Sequence, residues 1–531
     1  MKKRTAARSI AALMGAAMVL TACGGGSTTA PTTGASSGGE TQTASESAES
    51  GKITKTDIVV GQASDIVTLD PAGQQDTTSG VLMKHAYSTL LDVDNEGKVV
   101  PDLAESYEMK SDTEYVFKLR EDACFWDGTP VTAQDVKFSL DRAKGMPKTK
   151  SNTSKIEEVT VNGDHEVTIK LTEPYAAFKT IVTQHNLSIL SEKAVTEAGD
   201  SYGDVDNLLG SGPFKVTEWV PNDHYTLVRN DNYWGEMPIA TSITCRVIPE
   251  GSARTIALEA GEIDVVWSVD PTDCANVESN PDVKLLSQPS TGIDYVGMNT
   301  QKEKFSDKRV RQAINYALDK QTFVDTIIEG RGLVANSYIN AAIPGWTDEV
   351  EAYPYDPEKA KELLAEAGYP DGFECSIFVN GDLRTRSAQI LQAQLADVGI
   401  KVDISTYEWG ALLDTLNAGE HEMFLLGWSN TSFDPDGSTY QLFYSGNHGA
   451  TGNRAFFSND KVDELILSAQ RESEESKRME LYKELQFVLH EESPWCPLYY
   501  KENNVGVRAD LKGFTLHAGA QHYLGNCHYE E

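Results

Sequence analysis

The chain is 531 residues long and carries a formal charge of −34, more negative still once the leading Lys2, Lys3, Arg4 and Arg8 are set aside. Such acidity argues against nucleic acid and anionic lipid surfaces as partners. The length allows two or three domains with cores of ordinary size.

The first segment in chain order has the three parts of a secretory signal peptide: a basic start, an apolar run over residues 10–20, and small residues at the cut, Leu20-Thr21-Ala22-Cys23. The run is too short to span a bilayer. A cut just before Cys23 resembles a bacterial lipobox, so residues 1–22 are expected to be removed and Cys23 to carry lipid. Residues 24–51 are mostly Gly, Ser, Thr and Ala with a few Glu, and hold little to bury. Such a stretch cannot offset its chain entropy and is expected to be a tether, here 23–53 with its lipidated cysteine. The expected location is the extracytoplasmic face of the cell membrane, at the outer surface or in the periplasm of a host with an outer membrane.

Beyond the tether, strands and helices alternate. Residues 115–119 and 167–171 show period-two patterning and predict half-buried strands. Ser306 is a candidate cap for a helix whose Val310, Ala313, Ile314, Ala317 and Leu318 share one face. Asp356-Pro357 is a strong helix start, with Ala360, Leu363, Leu364 and Ala367 as the stripe and Gly368 as the stop. A further helix is expected over 386–398, ending at Gly399, and a strand over 400–407. Helix, glycine, strand is α/β punctuation.

Cys124, Cys245, Cys274, Cys375, Cys496 and Cys527 have spacings that select no pairing, and most are expected to be free. No G-x-S-x-G, H-E-x-x-H or P-loop motif occurs. His517, His522, Cys527 and His528 fit no common zinc spacing, and a loose C-terminal segment accounts for them better. No cofactor, metal or catalytic residue is expected.

Several blocks, in order, resemble the bacterial solute-binding protein family 5, the dipeptide- and oligopeptide-binding receptors of ABC transporters. They include Leu69-Asp70-Pro71, residues 101–107 and 117–140, Gly210-Ser211-Gly212-Pro213-Phe214, Tyr233-Trp234-Gly235, Gly261-Glu262-Ile263-Asp264, Tyr407-Glu408-Trp409, and Gly427-Trp428 followed by Asp434-Pro435. The resemblance implies an α/β, periplasmic-binding-protein-like fold of two lobes joined by a two-strand hinge, with an extra subdomain inserted in lobe one. Mapped here, lobe one is 54–293 with a return at 497–531, the insertion is about 93–205, and lobe two is 294–496. The crossovers are expected near 295–299 and 498–500.

The resemblance also implies where ligand sits. Family members that bind free peptides place an Asp between Gly-Trp and Asp-Pro to pair with the ligand's amine. Here Thr431 occupies that place, and a hydroxyl cannot neutralise an ammonium. Asn430 and Thr431 are expected to line the cleft. Either Asp434 or Asp436 replaces the missing charge, or the ligand has no free amine at that point; Asp434 fits a turn residue before Pro435 somewhat better than a ligand contact. Arg386, with Arg384 as alternate, falls where relatives place an arginine for a ligand carboxylate; either equally suits a solvated helix start. Trp409 and Trp428 are candidate walls, Trp409 equally a core residue, and Gly427 lets backbone approach a ligand. The implied partners are a peptide or peptide-like molecule, an ABC permease with its ATPase subunits, and the membrane through the N-terminal lipid. The receptor itself is expected to be a monomer. A glutathione-like, metal-chelate or oligosaccharide ligand is the alternative within this class; an extracytoplasmic peptidase is the alternative outside it.

Overall fold

Two long strands, Val283–Met298 and Trp495–Arg508, organise the computed structural model, which describes residues 52–531. The expected signal segment, Cys23 and most of the 23–53 tether lie outside the described residues. The two strands run antiparallel at the centre of one large sheet. Residues 283–289 pair with 502–508; the register then shifts between Pro289 and Ile293, and residues 293–297 pair with 495–500.

Each half of this ribbon belongs to a different lobe. The first half is extended by Val265–Val266, Asp57–Gln62, Ser242–Val247, His224–Arg229 and Phe214–Val220. The second half is extended by Met423–Ser429, Phe373–Val379 and Ile400–Thr406, parallel strands fed by helices. In lobe two the sheet is covered on both faces. Along Met423–Ser429 the side chains alternate between two cores: Met423 and Leu425 join Ile314, Leu364 and Leu391, while Phe424 and Leu426 join Leu412, Tyr482 and Trp495. This strand therefore reads as a continuous apolar run rather than as an alternation.

A separate four-stranded antiparallel sheet, in the order Ala104–Ser111, Glu114–Leu119, Glu166–Leu171, Ile156–Gly163, forms the inserted subdomain. The two strands expected from alternation are its central pair. Tyr115, Phe117 and Leu119 point inward and Lys118 outward, over a core that includes Leu140 of the helix Ala133–Lys144.

The helix expected at 356 starts as read: Asp356 caps Pro357–Glu366 by accepting from the Lys359 amide, and Gly368 closes it with φ +93°. Three expectations are corrected. The cap of Lys308–Ala317 is Asp307, which accepts from the Arg309 amide, whereas the Ser306 hydroxyl donates back to the Glu303 carbonyl and ends a short preceding turn. The helix expected from 386 begins earlier and spans Gly381–Ala396, so Arg384 and Arg386 lie inside it. The C-terminal segment is docked rather than loose: Cys527 is fully buried, Tyr529–Glu530 pairs with Ile53–Lys55, and the Tyr529 hydroxyl donates to Asp264.

Candidate ligand-binding cleft

The lobes meet around a cavity of about 400 Å³. Lobe two supplies the end of the strand Met423–Ser429, the start of the helix Trp409–Asn417, the first turn of Gly381–Ala396, and Arg454. Lobe one supplies the start of the helix Thr77–Ala86, capped by Asp76, together with Trp267 and Asn503. The inserted subdomain adds Asn152 and Gln184.

Five residues singled out in the sequence line this cavity: Gly427, Trp428, Thr431, Trp409 and Arg384. Gly427 passes directly over the buried Asp294 carboxylate. A Cβ there would sit 3.1 Å from both carboxylate oxygens, a tight contact that glycine avoids. Asp294 in turn holds Lys501 at 2.7 Å and lies 3.8 Å from Arg384. The Arg384 guanidinium also donates to Asn380 (2.8 Å) and lies over the Trp409 ring at 6.0 Å, a cation–π contact. The Trp428 indole donates to the Gly437 carbonyl (3.0 Å), which fixes its ring against the wall. The Thr431 hydroxyl donates across the cleft to Gln184 of the inserted subdomain (2.8 Å).

Three others stand outside the cavity wall. Asn430 is buried and braces its own loop, donating to the Asp434 carbonyl and the Ser438 hydroxyl, both at 2.7 Å. Asp434 forms a two-pronged pair with the buried Arg478, at 2.8 and 2.5 Å, and accepts from the Asp436 amide (2.9 Å). Arg386 reaches across to Asp270 of lobe one at 2.8 Å. These side chains hold the loop and the closed arrangement with groups of the protein itself.

Further bonds join the lobes around the cavity rim. The Tyr175 hydroxyl donates to Asp436 (2.6 Å), Ser154 meets Tyr440 (2.9 Å), and Gln441 bonds Asn152. Burial, then the neighbouring Asp434, pushes the Asp436 carboxyl up to about 6.

Sequence reasoning missed Asp76, Arg454, Lys501 and Asp294. Asp76 ahead of Thr77-Thr78-Ser79 signals a helix start, and its Oδ1 does accept from the Ser79 amide (2.9 Å). No periodicity or motif marks the second oxygen as facing a cleft. Arg454 stands in an irregular segment between helices, where sequence offers no register.

The family profile of the bacterial extracellular solute-binding proteins, family 5 (middle), matches residues 98–450. The chain is 32% identical over 479 residues to the glutathione-binding protein GsiB of Escherichia coli O157:H7, covering 87% of this chain and 92% of that one. Its fold is similar to that of the periplasmic binding protein DppA from Helicobacter pylori in complex with the peptide STSA, with a TM-score of 0.86 and 28% identity, over 90% of this chain and 99% of that one. It is similar also to the oligopeptide-binding protein AppA of Bacillus subtilis in complex with a nonapeptide, with a TM-score of 0.84 and 26% identity, over 91% and 100%.

Proposed function

Because the chain belongs to the bacterial extracellular solute-binding proteins of family 5, we propose that it is the extracytoplasmic receptor of an ABC importer, capturing peptides or peptide-like small molecules between its lobes. One observation carries this reading: a cavity of about 400 Å³ at the lobe junction, within the size range of small-ligand sites, with three tryptophans and a few placed charges in its wall. A ligand touches both walls only when the lobes are shut, so it favours the shut form. That form docks on a permease whose ATPase subunits drive uptake. The reading needs no covalent step, so the protein acts as a binder and not as an enzyme.

In this reading the lobes are 54–293 with 497–531, and 294–496, with the inserted subdomain at about 93–205. The register shift between the two long strands supports a hinge close to these boundaries. The ligand contacts are Thr431, Gly427, Trp428, Arg384 and Trp409. Asn430, Asp434 and Arg386 shape the site from behind it. The receptor is a monomer, held on the membrane by lipid on Cys23.

Titration calorimetry with mixed di- to hexapeptides tests the capture role. Saturable heat at one ligand per chain is expected; no heat from folded protein with any of them overturns the peptide reading. Cys23→Ser is expected to release the protein from the membrane fraction, and retention there refutes the lipid anchor. A glutathione-like ligand is the second reading, favoured by Thr431 at the amine-pairing position and by the glutathione-binding relative.

A further inference from the structure

Two charged side chains in the cavity wall lack the partners that buried charges ordinarily have. Arg454 is 6% exposed; its Nε donates to Asn417 (3.0 Å), and neither Nη has a hydrogen-bond acceptor among the described residues. Burial lowers its pKa, against the pull of Tyr295 and Asp76. Asp76 spends Oδ1 on the Ser79 amide, while Oδ2 is buried with no hydrogen-bond partner. Burial raises its carboxyl above the usual range. The Trp409 indole N–H lies beside this carboxylate and lowers its pKa, though outside full hydrogen-bond geometry. Leaving such groups unmet is costly, and a charged ligand group that meets them gains correspondingly.

The other cations of the wall have partners. Lys501 pairs with Asp294 at 2.7 Å, Arg384 donates to Asn380 and lies 3.8 Å from Asp294 with its Nε unmatched, and Arg331 pairs with Glu278 at 2.6 Å. The two positions that the family pattern assigns to ligand charges are unavailable as well. Thr431 carries no charge and already bonds Gln184, and Arg386 is taken by Asp270. The unmet cation and the unmet carboxylate oxygen face the same cavity from opposite lobes, electrostatically coupled yet outside ion-pair distance of each other.

We infer that Arg454 and Asp76 grip the two charges of a single α-amino-acid head group, its carboxylate on the Arg454 Nη pair and its ammonium on Asp76 Oδ2. The inference rests on the receptor reading and names the chemical group that the cleft recognises. Guanidinium takes a carboxylate with two parallel bonds. Both charges must then stand on one carbon. A linear α-linked peptide with free ends separates its amine from its terminal carboxylate by at least one residue. A γ-linked glutamyl peptide, or a free amino acid, keeps them together. Because Asp76 belongs to lobe one and Arg454 to lobe two, one head group ties the lobes shut.

Calorimetry on the protein in reducing buffer, with glutathione, its α-linked isomer Glu-Cys-Gly and free glutamate, tests this. Glutathione is expected to bind at least tenfold tighter than its isomer. Arg454→Gln and Asp76→Asn are each expected to weaken glutathione at least tenfold and the isomer less than threefold. Asn preserves the helix cap, and a melting curve for each variant checks folding. Glutamate binding as tightly as glutathione supports the head-group assignment with a free amino acid as its source. The inference is overturned if the α-linked isomer binds as tightly as glutathione, or if either folded variant keeps wild-type affinity. Linear peptides binding while glutathione and glutamate do not removes this inference and leaves the receptor reading standing. No binding by any peptide removes both.

Discussion

Asp434 and Arg478 are both buried, and each is the other's principal partner through two parallel bonds. A pair of this kind adds little net stability, because desolvating two charges consumes most of their attraction. Breaking it is another matter: Asp434→Ala leaves a guanidinium stranded among Tyr482 and Asp436, at a cost of about 3–5 kcal/mol. Chemical denaturation should show that loss, and the double variant Asp434→Ala with Arg478→Met should recover much of it. Equal losses in the single and double variants would mean that the loop is held by something else. The turn role of Asp434 was legible from the following Pro435, but its arginine partner, more than forty residues on, was not. The same holds for the charges of the cleft. Gly427, Trp428 and Thr431 were legible because they share one strand end with a recognisable motif. Asp76 and Arg454 face one cavity from different lobes, and spacing along a chain carries no trace of that.

Elements were legible where a cap and an apolar stripe coincide, as at Asp356-Pro357. They were misplaced where local signals compete. Asn380-Gly381 reads as a turn and conceals the start of Gly381–Ala396. The C-terminal segment was read as loose because it lacks periodicity, yet three histidines fasten it. His85 Nε2 accepts from the Leu524 amide (3.0 Å), His517 Nδ1 from the Gln521 amide (3.3 Å), and His522 Nδ1 from the His517 amide (3.1 Å). Each nitrogen accepts only while the ring is neutral. Burial lowers these rings to about 4, about 4 and about 3. Their folded pKa lies below the unfolded value near 6.5, so the unfolded chain binds protons first as pH falls. The stability they contribute is complete above about pH 6.5. It declines by up to about 1.4 kcal/mol per histidine for each pH unit below that, until the folded rings titrate. Hydrogen exchange, corrected for intrinsic rates, should show the Leu524 and Gln521 amides less protected at pH 5 than at pH 7.5. Unchanged protection would mean that the tail is held by its apolar contacts alone.

At the scale of the molecule, two long strands run through both halves of the large sheet among the described residues, so closure is a question of small free energies. The rim contacts replace water on both partners, and each is worth little alone. Arg386–Asp270 is the most informative of them: the arginine is 36% exposed, and the pair spans the cleft outside the cavity wall. A part-exposed pair of this kind contributes about 1 kcal/mol, so Arg386→Ala should shift the open–shut balance by about fivefold. Because ligand binds the shut form, affinity should fall by that same modest factor. An arginine that itself clamped a ligand carboxylate would behave differently, since its loss would strand a buried charge and weaken binding far more. The two roles separate further by ligand chemistry. A latch weakens every ligand equally, whereas a carboxylate clamp spares ligands whose carboxylate is amidated. Small-angle scattering of Arg386→Ala at saturating ligand should still reach the shut dimensions of the wild type. A hundredfold loss confined to free carboxylates would return Arg386 to the ligand and refute the latch.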